Sequence, residues 1–286
     1  MLVEFAGVIR RPGARATVEG ILGMRVDATD YVRATRQIVA WARRGESRYV
    51  CCASVNNVME AYDSAEFRRV MNGADLVTSD GMPLVWGLRR LGLPEATRVY
   101  GPRLTEHVLA AAAAEGLPVG FYGCTAEVLA QLRAAVQRRW PQLAIRYAFA
   151  PPFRPLRPEE DATVTAAIRT SGVRILFVGL STPKQEYWMA AHRGRIPAVM
   201  LGVGAAFDFL AGTKPQAPAW MQGAGLEWLF RLATEPRRLW RRYLKHNPRF
   251  LVFFSFQLAG WRRYTIQAPG VLGTSPETGK EQPHAD

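Results

Sequence analysis

The sequence predicts an α/β fold: a Rossmann-like, mostly parallel sheet with helices on both faces, followed by a basic helical C-terminal appendage. Short apolar runs alternate with helical stretches of roughly 10 to 15 residues, which is typical of a parallel sheet covered on both sides. The runs at 74–78, 175–180 and 198–204 are largely apolar along their length, as expected for strands buried on both faces. The 286 residues suffice to bury a large core.

The order of the elements follows from the apolar runs and the turn residues between them. Gly116 ends an alanine-rich helix, and four prolines between 151 and 158 mark a loop. An irregular leader is predicted over residues 1–20. The elements predicted after it are a helix from 27–30 toward 44, a strand at 49–53, a helix at 58–71, a strand at 74–78, a helix through 91, the alanine-rich helix, a strand at 119–122, a helix at 126–140, a strand at 143–148, a helix at 159–171, and strands at 175–180 and 198–204.

The composition changes near residue 223. Aromatic residues are interleaved there with many arginines, against only two acids, Glu227 and Glu235. We interpret 226–265 as an appendage and 266–286, rich in Pro, Gly, Ser and charged residues, as a disordered tail. Three interpretations of the appendage remain open. The favoured one is an amphipathic element on anionic lipid, and the others are the solvated face of a docked helix and a nucleic-acid surface, for which no recognition motif is present.

The overall charge and the cysteines limit the class of protein. A formal net charge of +13 indicates an anionic partner. The three cysteines form no spaced pair suited to zinc, and the adjacent Cys51 and Cys52 are predicted to be small buried residues in a reducing cytosol. Neither a signal peptide nor an apolar stretch of the roughly 20 residues that cross a bilayer is apparent.

Polar clusters follow three of the predicted strands. Asp80-Gly81 follows the first, Lys184-Gln185-Glu186 the second, and Asp208 the third. Because the carboxyl ends of parallel strands meet at one edge, we expect one shared site there. Asp80 could be a general base, a ribose ligand or the cap of the helix that begins near Pro83. The helix start at Lys184 suits an anion.

Several common site patterns are missing from the sequence. There is no D-x-D triplet, no P-loop and no H-E-x-x-H, and Gly202-Val203-Gly204 does not complete a dinucleotide fingerprint. The four histidines stand far apart. We therefore expect neither a metal nor a cofactor. If a diphosphate leaves at this site, Arg98 is the best placed cation to neutralise it, and the alternative is a solvated loop charge.

Several motifs of the chain occur in the order of a known family. They are Asp75-Leu76-Val77-Thr78-Ser79-Asp80-Gly81-Met82-Pro83-Leu84-Val85-Trp86, Arg98-Val99-Tyr100-Gly101, Pro183-Lys184-Gln185-Glu186, the stretch 202–212, Ala217-Pro218-Ala219-Trp220 and Gly225-Leu226-Glu227-Trp228-Leu229. Over about 26–254 the chain resembles the WecG/TagA/CpsF glycosyltransferases. The resemblance implies an inverting, metal-independent transferase with its glycosyltransferase domain at 21–225.

The resemblance also implies substrates and a location. The donor is a UDP-sugar, and the acceptor is a polyprenyl-diphosphate-linked saccharide at the inner face of the cell membrane. The enzyme is expected to be cytoplasmic and peripheral on that face, and an oligomer is possible. Ser54-Val55-Asn56-Asn57 departs from the family's Thr-Pro-Asn-Pro-Glu type of motif, so the sugar is left as N-acetylmannosamine-type or glucose-type.

Residue roles follow from the same resemblance. Asp80 matches the proposed base, and Arg98 matches the arginine assigned to the leaving diphosphate. The substrate-binding positions fall on Ser54, Asn56, Gly81, Gln185 and Asp208, with Asp208 near the nucleoside. Membrane or leaving-group contacts fall on Arg231, Arg238, Arg241 and Arg242. Two rival functions remain, a nicotinamide-dependent oxidoreductase and a non-catalytic membrane-surface module.

Overall fold

The structure is a computed structural model that describes residues 17–266. The strands in that range are β1 (Thr17–Ile21), β2 (Met24–Ala28), β3 (Arg48–Ala53), β4 (Leu76–Ser79), β5 (Val119–Gly123), β6 (Ile145–Phe149), β7 (Ile175–Gly179) and β8 (Val199–Gly202). The helices are α1 (Tyr31–Arg43), α2 (Val55–Asp63), α3 (Ala65–Gly73), α4 (Met82–Arg90), α5 (Gly101–Ala114), α6 (Ala126–Arg139), α7 (Pro158–Ser171), α8 (Lys184–His192), α9 (Ala206–Ala211), α10 (Ala219–Gly223), α11 (Glu227–Thr234) and α12 (Pro236–Leu258).

Six strands form one parallel sheet in the order β4-β3-β8-β7-β5-β6. Successive residues of a strand face opposite layers of the core. In β3, Cys51 packs with residues of α2, α3, α4, α7 and α8, whereas Cys52 packs with residues of α1, α5, α6 and α9. The predicted α/β class, with helices on both faces of a parallel sheet, is therefore confirmed, and both cysteines are buried.

The chain changes face between two neighbouring strands at the middle of the sheet. After β3 it continues into α2 in one layer, whereas after β8 it continues into α9 in the other layer. Such a reversal opens a crevice at the carboxyl edge, and open α/β sheets bind their ligands in that crevice. The segments that follow β3, β4, β7 and β8 therefore lie where a ligand is expected.

Ser64 divides a stretch that the sequence predicts to be one helix. The structure forms α2 and α3 instead of a single helix over 58–71. The backbone of Ser64 is extended, and its hydroxyl accepts a hydrogen bond of 3.1 Å from the N–H of Phe67. A serine in this position caps a new first turn, so the prediction of an uninterrupted helix is wrong.

An antiparallel hairpin of β1 and β2 precedes the sheet. Its turn consists of Leu22 and Gly23, whose φ angles of 52° and 84° suit a two-residue hairpin turn. Residues 17–20 form most of β1, so their prediction as part of an irregular leader is wrong. The rest of that predicted leader, 1–16, lies outside the described residues, as do residues 267–286 of the predicted tail.

The hairpin is joined to the sheet through Asp27, which is fully buried. Its carboxylate accepts a hydrogen bond of 2.8 Å from the N–H of Val77 in β4 and pairs with Arg25 at 2.9 Å. Burial raises the pKa of Asp27, and the charge of Arg25 opposes that rise. The carboxylate thus takes the place of a strand neighbour at the outer edge of β4.

The C-terminal helices α11 and α12 lie along one line of residues against the body of the protein, by which we mean the six-stranded sheet and the helices on its two faces. Leu239, His246, Phe250 and Phe254 of α12 are buried, and Asp63 of α2 makes two bonds of 2.9 and 2.6 Å with Arg249. Helix α12 also exposes large apolar side chains: Val252 and Leu258 lie outside the lining of the large cavity over the sheet, whereas Trp240, Leu244 and Leu251 belong to that lining. None of the helices between residues 17 and 266 combines the length and apolarity that crossing a bilayer requires.

Gln257 holds the end of α12 on the N-terminal hairpin. Its side-chain oxygen accepts from the N–H of Leu22 at 2.9 Å, and its amide nitrogen donates to the carbonyl of Gly20 at 2.7 Å. Both bonds satisfy backbone groups next to the hairpin turn. The two ends of the described chain are therefore in direct contact.

Candidate active site

A cavity of about 820 Å³ lies over the carboxyl ends of β3, β4, β7 and β8. Its floor comes from the segments that follow these strands, and its roof comes from α11 and α12. Of the residues predicted for the site, Ser54, Asn56, Asp80, Gly81, Arg98, Gln185, Arg231, Arg238 and Arg242 line it. Asp208 and Arg241 do not belong to the lining.

Asp80 lies at the end of β4, fixed by the sheet itself. Its backbone N–H donates to the carbonyl of Ala53 at 2.8 Å, which extends the β3–β4 ladder by one bond. Its carboxylate Oδ1 accepts a hydrogen bond of 3.3 Å from the N–H of Gly101. The helix cap of α4 is Gly81, without a side-chain bond, so the alternative interpretation of Asp80 as that cap is wrong.

The surroundings of Asp80 shift the pKa of its carboxyl to near neutral pH. Removal from water raises the pKa of Asp80 to about 7, and Glu227 adds to the rise, whereas Arg98, the N–H of Gly101 and Arg231 oppose it. An ordinary aspartate is fully ionised at neutral pH. A carboxyl that titrates near 7 can accept a proton from a substrate hydroxyl and release it again.

Arg98 is not a solvated loop charge, because its side chain is only 16 % exposed. Its Nε donates to the carbonyl of Asp80 at 2.6 Å, one terminal nitrogen donates to the carbonyl of Gln222 at 3.3 Å, and the other pairs with Glu227. The guanidinium also lies over the ring of Tyr100, 4.4 Å from its centroid. This set of contacts fixes the cation beside the carboxyl of Asp80.

Two arginines of the appendage have unsatisfied donors in the cavity. The Nε atoms of Arg231 and Arg242 are buried and have no hydrogen-bond partner among residues 17–266. Burial lowers the pKa of Arg242, which is the cost of removing a cation from water. Buried arginine donors that lack a partner are suited to an anionic ligand such as a phosphate.

The other two predicted arginines of the appendage are placed differently. Arg238 lines the cavity and pairs with Glu235 at 2.6 Å. Arg241 is exposed on the outer side of α12 and lies over the ring of Trp240. The four arginines therefore separate into three that face the cavity and one that faces solvent.

Ser54 and Asn56 begin α2 at the edge of the cavity. The N–H and the hydroxyl of Ser54 both donate to Oδ1 of Asn57, at 3.1 and 3.0 Å, so this turn is rigidly formed. Oδ1 of Asn56 is buried without a partner. A buried acceptor of this kind suits a ligand that donates a hydrogen bond, such as a sugar hydroxyl.

Gln185 lies against the end of β8, where Gly202 and Gly204 leave room for its side chain. A Cβ at Gly202 would lie 3.2 Å from its Nε2 and 2.6 Å from Met189, so a larger residue at 202 would displace these side chains. Nε2 of Gln185 donates to Glu186 at 3.1 Å, and Oε1 is buried without a partner. Gln185 thereby adds a second unsatisfied acceptor to the site.

Glu186 is fully buried beside Gln185 and contacts no cation in the described part of the chain. Its Oε1 accepts hydrogen bonds from Asn57, Thr182 and Gln185 at 3.1, 2.8 and 3.1 Å. Burial raises the pKa of Glu186, against the lowering effect of these donors. The carboxyl thus joins the start of α2 to the start of α8 beneath the cavity.

Asp208, predicted near a nucleoside, pairs with Lys214 at 3.4 Å on the solvent side of α9. Together with burial, it raises the pKa of the Cys124 thiol to about 12. It therefore lies toward the end of β5, beside the cavity rather than in its lining.

No group of three or more His, Cys, Asp or Glu side chains among residues 17–266 is arranged to hold a metal ion. The carboxylates that come together at the cavity are Asp80 and Glu227, and they are separated by the Arg98 guanidinium, which pairs with Glu227 and is bonded to the Asp80 backbone. The cavity thus offers cations from the protein itself to an anionic ligand.

Glu227 reaches the centre of the site, although no role for it was predicted from the sequence. It begins α11, and its side chain is only 12 % exposed against Arg98. The available signal was its isolation, because Glu227 and Glu235 are the only acids of a strongly basic segment. An acid retained in such a segment indicates a specific cationic partner.

Most of the chain, including every residue named above for the site, matches one family of proteins. The model described as "Glycosyl transferase WecG/TagA/CpsF family" matches residues 20–265. This match covers the sheet, the segment with Asp80 and both C-terminal helices that close the cavity.

Proposed function

The chain belongs to the WecG/TagA/CpsF family of glycosyl transferases, and from this premise we propose that it moves a sugar from a UDP-sugar to a polyprenyl-diphosphate-linked saccharide with inversion and without a metal. The family places the enzyme in cell-surface polysaccharide synthesis. One observation carries the finer proposal: a carboxyl with a pKa of about 7 shares a cavity with two arginines, Arg231 and Arg242, whose buried Nε donors have no partner within residues 17–266.

In the proposed reaction, Asp80 acts as the general base. The acceptor hydroxyl enters beside its carboxylate and attacks the anomeric carbon while Asp80 removes the hydroxyl proton. The bond from that carbon to the UDP oxygen breaks in the same displacement, and its electron pair leaves with UDP. A positioned base of this kind is typically worth about 10²–10⁴-fold in rate.

The charge that develops on UDP is neutralised by arginines. Arg98 contributes from the body, and Arg231, Arg238 and Arg242 contribute from the appendage. Preorganised cations in a cavity with little water stabilise a leaving group strongly and require no reorganisation during the reaction. Asn56 and Gln185 would receive hydrogen bonds from sugar hydroxyls, and Asp208 stays a prediction for the nucleoside.

The appendage, 226–265, would also hold the enzyme on the inner face of the cell membrane. Outside the cavity lining it exposes Val252 and Leu258 together with Arg237 and Arg241, and anionic lipid attracts such a surface by about 1 kcal/mol per basic residue. A lipid-linked acceptor would then reach the cavity from the surface on which α12 lies.

The test measures UDP release with a panel of UDP-sugars and a short lipid-diphosphate-sugar acceptor, with and without EDTA. We expect acceptor-dependent release with one donor, unchanged by EDTA. Loss of release in EDTA, restored by a divalent cation, would contradict the metal-free mechanism. Binding of NAD without binding of UDP would favour the oxidoreductase, and vesicle binding without any nucleotide binding would favour the non-catalytic module.

A further inference from the structure

Glu227 is an acid in a place where the proposed reaction needs cations. It lies at the first position of α11, and its carboxylate pairs with Arg98 inside the cavity lining. The ring of Tyr100 supports the Arg98 guanidinium from the other side of this pair, and burial together with the charge of Glu227 raises the pKa of Tyr100. Three side chains from two segments thus hold one another in a fixed arrangement.

The donors of Arg98 are only partly used in this arrangement. A guanidinium carries five N–H donors. One serves the carbonyl of Asp80, one the carbonyl of Gln222 and one the carboxylate of Glu227. Because these three bonds engage all three nitrogens, they fix the plane of the guanidinium and leave one donor on each terminal nitrogen for an anion.

We propose that Glu227 is a positioning residue for sugar transfer, which holds Arg98 between the backbone of Asp80 and the departing diphosphate and so makes the catalytic centre depend on docked α11. This inference rests on the proposed function for the identity of the anion. The pairing of Glu227 with Arg98 is present without a substrate, because both residues belong to this chain and contact each other directly. Glu227 acts through Arg98 and is not assigned contact with the sugar.

The charge of Glu227 also reaches Asp80. The titratable and charged groups that face Asp80 are Cys52 from β3, Tyr31 from α1, Arg98 and Tyr100 from the loop before α5, and Glu227 and Arg231 from α11. Among the charged groups, Glu227 is the one that opposes ionisation of Asp80, and Arg98 and Arg231 favour it. Removal of its charge should therefore make Asp80 more acidic.

A second ion pair makes it possible to distinguish the positioning of Arg98 from the mere attachment of the C-terminal helices. Asp63 holds α12 on the body through Arg249, and neither residue lines the cavity. Asp63→Asn weakens the attachment of the C-terminal helices without touching Arg98. It is therefore the matched control for Glu227→Gln.

The experiment uses the full chain labelled with ¹³C at aspartate carboxyls. Asp80 is titrated by NMR, with Asp80→Asn to assign its signal, and UDP binding is measured by calorimetry. In Glu227→Gln we expect the pKa of Asp80 to fall by about one unit and the UDP Kd to rise roughly 3- to 10-fold. In Asp63→Asn the pKa of Asp80 should stay unchanged, and Glu227→Asp should restore part of both effects.

Three outcomes would overturn the inference. Tighter UDP binding by Glu227→Gln would mean that the carboxylate occupies the place of the phosphate instead of ordering Arg98. An unchanged Asp80 titration in both Glu227→Gln and Glu227→Asp would mean that the contact is structural only. Equal shifts in Asp63→Asn and Glu227→Gln would assign the effect to docking in general.

The NMR titration also separates this inference from the proposed function. It reads the contact between Glu227, Arg98 and Asp80 without any ligand. If the wild type binds no UDP, and the pKa of Asp80 is nevertheless lower in Glu227→Gln than in the wild type, the results would contradict the proposed function alone. If Glu227→Gln does not fold, Glu227→Asp carries the same measurements, with smaller shifts expected in the same directions.

Discussion

The parallel sheet and the C-terminal helices build the same cavity by different physical means. All four residues of β8 are buried, and this strand is held by backbone ladders to β3 on one side and to β7 on the other. In α12, only four of 23 residues are buried, and α11 contains no buried residue. The helices are therefore held by one line of apolar contacts and a few polar pairs.

The two halves of the site are therefore held with different firmness: the half on the sheet is fixed more firmly than the half on the C-terminal helices. Asp80 is fixed by the sheet, whereas Arg231, Arg238 and Arg242 are only as well fixed as the helices that carry them. Arg98 and Glu227 join the two regions. The chemistry of proton removal thus depends on the body, and the neutralisation of the leaving group depends on the docked helices.

The largest expected effect on turnover comes from a residue of the body, Asp80. Asp80→Asn should reduce turnover by about 10²–10⁴-fold, because the amide cannot accept the proton of the acceptor hydroxyl. UDP binding should persist, since the arginines are unchanged. In the wild type, the rate should rise with pH through about 7, where Asp80 ionises. Unchanged turnover of the variant would remove Asp80 from the role of base.

The same variant should change stability in a way that depends on pH. The pKa of Asp80 is about 7 in the folded chain and about 3.8 when unfolded, so ionisation favours the unfolded chain between these values. Relative to the wild type, Asp80→Asn should gain stability as pH rises from about 4 to 7, with no further gain above. Thermal unfolding at several pH values measures this, and a constant difference would contradict the raised pKa.

A smaller effect is expected from the cations of the appendage. Arg242→Ala and Arg231→Ala should each weaken UDP binding by roughly tenfold, because each removes a charged donor that has no protein partner. Arg237→Ala is the matched control, since Arg237 is exposed on α12, the helix that carries Arg242, and does not line the cavity. Equal losses in all three variants would indicate a general charge effect instead of a site.

The outer side of α12 is tested by reversing its charge. Arg237→Glu with Arg241→Glu should weaken binding to anionic vesicles by at least about 1 kcal/mol for each cation removed. Binding to neutral vesicles and UDP affinity should change little, because both residues lie outside the cavity lining. Vesicle binding that is equal at low and high salt would contradict electrostatic attachment.

The smallest effect concerns attachment of the helices. Asp63→Asn removes the pair with Arg249 and should cost less than about 1 kcal/mol of unfolding free energy, because both side chains are partly exposed. Arg249 lowers the pKa of Asp63, so the contribution is present at neutral pH and is lost as the pH falls below the usual range of an aspartate. Denaturant unfolding at pH 7 and pH 3 measures the difference.

The sheet could be predicted from the sequence, whereas the first hairpin and the break at Ser64 could not. Strands such as β7 and β8 are apolar along their length, and this local pattern survives in the fold. The hairpin depends on Asp27, which is stabilised by Arg25 and by the N–H of Val77, a residue distant in sequence. A cap such as Ser64 competes with helix continuation, and local composition does not decide that competition.

The site could be predicted only as far as its strand ends. Asp80 was identifiable because a carboxylate and a glycine end an apolar run. The pairing of Arg98 with Glu227 joins residues on separate segments, so no spacing in the sequence reveals it. The separation of Arg241 from Arg242 depends on which side of α12 meets the body, and both sides carry arginines and aromatics.

The bridge between Gln257 and the hairpin has a consequence for exchanging parts among relatives. Gln257 is bonded to backbone groups at Gly20 and Leu22, so the last helix and the first strands form one unit. A chimera that took only the C-terminal helices from another family member would leave those groups facing a foreign surface. The N-terminal hairpin has to be exchanged together with the helices if the transplanted arginines are to reach the cavity.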